Sequence, residues 1–205
     1  MTQVSPKRTA AQMLIVVSGP SGAGKDSVVR LLLEREPDLV FVVTTTTRPM
    51  RADEVDGRDY FFVSGEEFLR RIEADEFVEY ALVYGEHKGV SRKEVEAALE
   101  KGKDPVLRID VQGAARIKRL YPNALLIFLT PGNEAELRAR LDARETETHV
   151  GLERRLATAR EESERREEFD YQVVNQRDDL EGTVKLIQGI ISAERAQVRA
   201  RTVET

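Results

Sequence analysis

Short apolar runs stand out against a polar background along this chain. The first is Leu14-Ile15-Val16-Val17-Ser18, rich in β-branched residues and followed by a glycine-rich turn. Apolar side chains at consecutive positions suit a strand covered on both faces. Similar runs at 39–43, 106–109, 125–129 and 171–174 predict further buried strands. Helical spacing separates several of them. Residues 25–34 predict a helix that turns Val28, Val29, Leu31, Leu32 and Leu33 inward, and residues 112–120, 134–144 and 180–199 predict others. In the last of these, Val184, Ile187, Ile190 and Ile191 form the inward stripe. Strands that alternate with helices argue for an α/β architecture on a parallel sheet.

Two stretches break the alternation. Residues 44–91 are polar and turn-rich, with strand-like pieces at 60–62 and 77–84 and an amphipathic helix at 66–75. They read as a small inserted subdomain with Phe61, Phe62 and Phe68 in its core. Residues 144–168 are dense in Arg and Glu. Such a run is ordinarily a solvated helical face; its sharper reading is a mobile lid. His87 reads as an exposed loop residue and His149 as part of the lid surface.

Composition narrows the chemistry. The 205 residues hold 32 Lys and Arg against 37 Asp and Glu, a net charge of −5. That length fits one domain with insertions. A net acidic chain lacks the basic footprint of a nucleic-acid binder, so local cationic clusters must hold any anionic ligand. The absence of Cys excludes disulfides, thiolate metal sites and cysteine nucleophiles. Two His leave no multi-histidine metal site. No apolar stretch approaches the about 18 residues of a membrane span, and residues 1–12 lack the apolar core of a secretory signal. The expectation is a cytoplasmic protein, monomer or homodimer, with a loose tail over 1–12.

Gly19-Pro20-Ser21-Gly22-Ala23-Gly24-Lys25 matches G-x-x-x-x-G-K. Glycines let successive N–H groups curl toward phosphate oxygens, and the helix N-terminus beyond adds partial positive charge. Lys25 is a compact cation able to reach the β- and γ-phosphates. The next position ordinarily carries Ser or Thr, whose hydroxyl meets Mg²⁺. Here it is Asp26, with Ser27 following. Mg²⁺ takes oxygen ligands, so Asp26 or Ser27 is its candidate ligand. Further on, Arg48 and Arg51 with Tyr60 form a candidate clamp for a second phosphate, Arg being the forked donor.

With these motifs the chain resembles the guanylate kinase family. The resemblance rests on Gly19–Lys25, Thr46-Thr47-Arg48, Arg51, Glu54, Val55, Gly57, Tyr60, Phe62, Glu79, Asp110-Val111-Gln112-Gly113 and Val173-Val174-Asn175. It runs from about residue 14 to about residue 197. It implies a P-loop three-layer core over 13–43, 92–131 and 169–205, a GMP-binding subdomain over 44–91 and a helical lid over 132–168. It implies ATP-dependent phosphoryl transfer to GMP, with Mg²⁺, as a purine-nucleotide kinase. Arg48, Arg51 and Tyr60 would hold the GMP phosphate, with Lys88 nearby. Thr44, Glu79 and Asp110 would read guanine. Residues 19–27 and Asn175 would hold ATP. Lys25 with the lid arginines Arg140, Arg144 and Arg155 would neutralise charge on the transferring group.

Three departures from the family pattern are visible: Asp26 for Ser or Thr, Arg108 for the first acid of Asp-Ile-Asp, and Lys88 for Tyr. An acid gained at the loop and a base gained at the neighbouring strand suggest that Asp26 and Arg108 pair. Two other readings stay open here. One is a ribose 1,5-bisphosphate phosphokinase, which would not need the guanine-reading set. The other is a guanylate-kinase-like binding module that does no chemistry.

Overall fold

The computed structural model describes residues 12–83, 85–142 and 149–203. In chain order the elements are β1 (Ile15–Ser18), α1 (Lys25–Arg35), β2 (Leu39–Phe41), β3 (Thr44–Thr46), β4 (Phe61–Phe62), α2 (Gly65–Glu73), β5 (Phe77–Val83) and β6 (Glu86–Ser91). Then come α3 (Arg92–Glu100), β7 (Asp104–Arg108), α4 (Val111–Leu120), β8 (Leu125–Pro131), α5 (Glu134–Asp142), α6 (His149–Glu164), a 3₁₀ turn (Arg165–Glu168), β9 (Tyr171–Asn175) and α7 (Leu180–Val203).

β1 is the middle strand of a five-stranded parallel sheet in the order β2-β7-β1-β8-β9. Its side chains alternate between two cores. Ile15 and Val17 pack with Val28, Val29 and Leu32 of α1 and Val184, Ile187 and Ile191 of α7. Leu14 and Val16 pack with Val95 and Leu99 of α3 and Ala114 and Ile117 of α4. Helices therefore cover both faces, which is why the strand reads as an unbroken apolar run. The result is the α/β three-layer core that the sequence led us to expect. Leu31, Leu33 and Ile190 are only partly buried at the edge of the first cluster.

Residues 44–91 hold a second sheet, ordered β4-β3-β6-β5. β3 and β5 run antiparallel to β6, and β4 runs parallel to β3. The Ser64 hydroxyl caps α2 by accepting from the Glu67 N–H at 3.1 Å. That helix drives Phe68, fully buried, against Phe77. Phe61 and Phe62, by contrast, are only half-buried. His87 is no loop residue: it lies in β6, half-buried, with its ring stacked on Phe68.

β3, β6 and α3 were not legible as elements. Thr-Thr-Thr and Glu-His-Lys-Gly-Val-Ser carry no apolar alternation, and cross-strand pairing makes them strands. No helix among the described residues is long and apolar enough to cross a membrane.

Candidate active site

The carboxyl ends of the parallel strands converge on the loop after β1, the place where open α/β sheets bind ligands. Gly24 closes that loop with φ 87°, a left-handed conformation, and α1 begins at the next residue. A Cβ on Gly24 would also run into the Asn175 side-chain amide. Lys25 Nζ folds back over the loop and donates to the carbonyls of Gly19 at 2.5 Å and Pro20 at 2.9 Å. Burial lowers its pKa to about 8, opposed by the negative charges of Glu162 and Asp26; Lys88 and Arg108 push the same way as burial. Five charged side chains from four separate segments thus share one small field.

The loop is braced from behind. Asn175, at the end of β9, donates from Nδ2 to the Ala23 carbonyl at 2.8 Å, and its Oδ1 accepts from the Thr183 hydroxyl. Arg140 donates to the carbonyls of Ala23 at 3.3 Å and Asn175 at 2.9 Å and ion-pairs with Glu136. Both side chains therefore meet the back of the phosphate loop. Arg155 is half-buried on α6. Arg144 lies outside the described residues, as does the His149 side chain.

Asp26 and Arg108 do approach each other, as their joint departure suggested: Arg108 Nη1 lies 2.5 Å from Asp26 Oδ1. Asp26 is the exposed partner. Asp26 and Ser27 sit in the first turn of α1 and are exposed. One carboxylate and one hydroxyl suit Mg²⁺, which keeps most of its shell as water and phosphate oxygen. Among the described residues no group of three or more His, Asp or Glu offers a dedicated metal cage. The donor set thus fits a cation delivered with a polyphosphate.

The second anion site is built around Glu54. Arg48, 9% exposed, forks both terminal nitrogens onto the Glu54 carboxylate, and Glu54 Oε2 also accepts from the Arg51 backbone N–H at 2.9 Å. Burial alone would raise the Glu54 pKa, but the Arg48 hydrogen bonds and the neighbouring positive charges hold it below the usual range. The Arg48 guanidinium lies 4.9 Å from the Tyr60 ring centre. Glu54 thus aligns Arg48 and Arg51 side by side. Lys88 stands on β6 in register with Thr46.

The third cluster is unusual for being unsatisfied. Thr44 of β3 and Glu79 of β5 both register with Val90 of β6, one on each side, so the three side chains share a sheet face. Thr44 and Glu79 are each 2% exposed, yet Thr44 Oγ1 and Glu79 Oε2 have no hydrogen-bond partner. Leaving such a group unpaired costs about 1–3 kcal/mol. α4 presses against the same carboxylate: a Cβ on Gly113 would lie 2.7 Å from Glu79 Oε1. Burial pushes the Glu79 pKa up to about 8, the Asp110 charge adds to the rise, and Arg116, 3.9 Å from Oε2, opposes it. Asp110 caps α4, accepting from the N–H groups of Gln112 at 2.8 Å and Gly113 at 3.2 Å. A cleft of about 360 Å³ opens between the end of β5, Asp110–Gln112 and α6. A larger cleft, about 680 Å³, lies between α5, α6 and the end of β8, away from the phosphate loop and the Thr44–Glu79 pair.

One site residue escaped sequence reasoning. Glu162 of α6 is 8% exposed, faces Lys25 and accepts from the Ser21 backbone N–H. Burial raises its pKa, and Lys25 opposes the rise. It hides in an Arg/Glu-rich run. The available signal is its spacing from Leu156 and Ala159, both buried, which puts all three on one helix face.

Comparisons with known proteins agree with this layout. The family model described as guanylate kinase matches residues 11–194. A rice protein named guanylate kinase 2, chloroplastic/mitochondrial, is 50% identical over 192 residues, covering 93% of this chain and 67% of the relative. A Thermotoga maritima guanylate kinase is 46% identical over 185 residues, covering 90% and 88%. The crystal structure of a guanylate kinase from Anaplasma phagocytophilum superposes with a TM-score of 0.75 at 35% identity, covering 92% of this chain and 88% of that one.

Proposed function

The chain belongs to the guanylate kinase family, and from that premise we propose that it moves the γ-phosphoryl group of ATP onto the phosphate of GMP, giving ADP and GDP. The observation that carries this reading is the buried pair Thr44 Oγ1 and Glu79 Oε2, neither with a hydrogen-bond partner among the described residues, Glu79 having only the distant charge of Arg116 at 3.9 Å. Guanine presents two adjacent N–H donors on one edge, and a carboxylate accepts both; adenine presents no such pair. A site whose buried polar atoms stay unpaired with the wrong base can reject it by roughly 10⁴.

Residues 44–91 would be the GMP-binding subdomain and residues 132–168 the lid. Arg48, Arg51, Tyr60 and Lys88 would hold the acceptor phosphate, and Thr44, Glu79 and Asp110 the base. Residues 19–27 would cradle the ATP phosphates, with Asn175 behind them. The attacking oxygen of GMP is already anionic, so no strong general base is required. The protein positions the two nucleotides and stabilises charge. Lys25, Arg144 and Arg155 would supply that charge, joined by Arg140 once it leaves Glu136 and the Ala23 and Asn175 carbonyls that it braces here. Mg²⁺, held by the ATP phosphates with Asp26 or Ser27, would neutralise charge on the transferring group. Soluble nucleotide substrates and a chain without Cys suit the cytoplasm.

A coupled ADP-release assay with MgATP tests the proposal, with GMP, AMP, UMP and ribose 1,5-bisphosphate as acceptors. Fast release with GMP alone is expected. Release confined to the ribose bisphosphate, or GMP binding without turnover, overturns it.

A further inference from the structure

Arg108 stands where the two phosphate sites meet. It ends β7, in register with Val17 of β1. Its side chain is 8% exposed. Nη1 pairs with Asp26, in the first turn of the helix that the phosphate loop opens. Nη2 donates to the Asp59 carbonyl at 3.0 Å. The guanidinium lies 5.1 Å from the Phe41 ring centre and 4.8 Å from that of Tyr60, the ring that also carries Arg48. The same cation thus touches the donor loop and the acceptor clamp.

Two details argue against a purely structural strap. The Arg108 Nε is buried without a hydrogen-bond partner, an arrangement that costs stability. And its carboxylate partner, Asp26, is exposed and occupies the position where the loop motif ordinarily carries the Ser or Thr that meets Mg²⁺. A buried guanidinium needs a counter-charge while the site is empty. Asp26 supplies it, and the pair sums to zero.

Resting on the kinase reading above, we propose that Arg108 is a catalytic residue of the transfer: with both nucleotides bound it leaves Asp26 for the phosphate oxygens between donor and acceptor, and Asp26 turns to the metal. In the transfer, the bond from the γ-phosphorus to the β-bridging oxygen breaks and its electron pair stays on ADP. A GMP phosphate oxygen supplies the pair for the new bond. Arg108 neither gives nor takes a proton; it carries charge at the junction, where charge accumulates.

Calorimetry with an adenosine and a guanosine joined through five phosphates tests this, because that compound places phosphates across the junction. Arg108→Gln should weaken its binding roughly 100-fold and lower kcat by a similar factor, while the affinities for GMP alone and ADP alone stay as in wild type. Arg108→Lys should recover part of both losses. Asp26→Asn should tighten Mg²⁺-free binding of the compound roughly tenfold, the size of an ordinary coupling between sites. Unchanged binding of the compound by Arg108→Gln overturns the proposal. So does an equal loss for GMP, ADP and the compound, the signature of a strap. Should Arg108→Gln not fold, unchanged binding by Asp26→Asn overturns it equally. These failures leave the kinase reading standing; a wild-type chain that transfers nothing to GMP removes both.

Discussion

The loop over residues 19–25 and the Thr44–Glu79 cluster, proposed above to hold the donor phosphates and the guanine base, differ in how their polar groups are satisfied. At the loop the Lys25 ammonium and the Ala23 carbonyl are paired within the protein, Lys25 with the Gly19 and Pro20 carbonyls and Ala23 with Asn175 and Arg140, although Ser18 Oγ, Glu162 Oε2 and Arg108 Nε beside it are buried without a hydrogen-bond partner. On either side of β6, Thr44 Oγ1 and Glu79 Oε2 are buried without a hydrogen bond, Glu79 meeting only the Arg116 charge at 3.9 Å. The first region is built and braced before a ligand arrives. The second bears a cost that a ligand with the right donors removes. On the proposed reading, phosphate affinity rests on the braced loop and discrimination on the buried polar atoms of Thr44 and Glu79.

Substitutions can break this contrast in either half. The largest effect is expected for Lys25→Met, which should lower kcat/KM by about 10³-fold while calorimetric GMP affinity holds. A matching loss of GMP affinity would show that the halves are not separable. Next, Glu79→Gln keeps the shape but exchanges an acceptor for a donor. It should cost about 100-fold in GMP kcat/KM with ADP binding intact. Gly113→Ala pushes a methyl into the Glu79 carboxylate and should raise the GMP KM about tenfold by displacing it, a loss of about 1.4 kcal/mol.

A gentler probe is pH. Glu79 holds its proton up to about 8 in the empty site, and only the ionised form accepts from both guanine donors. GMP affinity should therefore rise several-fold from pH 7 to pH 8.5, above the phosphate titration near about 6, and the rise should vanish in Glu79→Gln. A flat wild-type profile would place the ionised carboxylate there already at pH 7. The smallest effect is expected for Thr44→Val. It removes an orphaned hydroxyl, so it should raise Tm slightly while weakening GMP binding a few-fold, about 1 kcal/mol. Opposite signs in those two readouts are the mark of an unsatisfied group kept for a ligand.

The parts that rest on burial were legible in the sequence, and the parts that rest on pairing were not. β1, β7 and β8 announce themselves because both faces are covered and they carry unbroken apolar stretches, at 15–17, 105–107 and 125–129. β3 and β6 became visible only through their register with β5 and with each other. α3 carries Val95, Ala98 and Leu99 at helical spacing behind Ser91, a signal too short to stand alone. The phosphate loop could be read from residue types, and the Asp26–Arg108 pair from two joint departures from the family pattern. The missing hydrogen bond of Glu79 Oε2 could not, because an unsatisfied acceptor is a property of its neighbours. Glu162 was hidden by sixteen helical residues in which charge signals solvent nearly everywhere else.

Tyr60, with a guanidinium on either hand, has a spectroscopic consequence. The chain has no Trp, so its near-ultraviolet absorption and emission belong chiefly to five Tyr. One of these rings reports on both arginines at once. Movement of either cation toward a phosphate alters the field across that ring, and Tyr60→Phe, which leaves a ring for the cations to rest on, identifies the band. If the proposed sites are right, the protein carries its own optical probe between them, and no label has to be introduced to watch them fill.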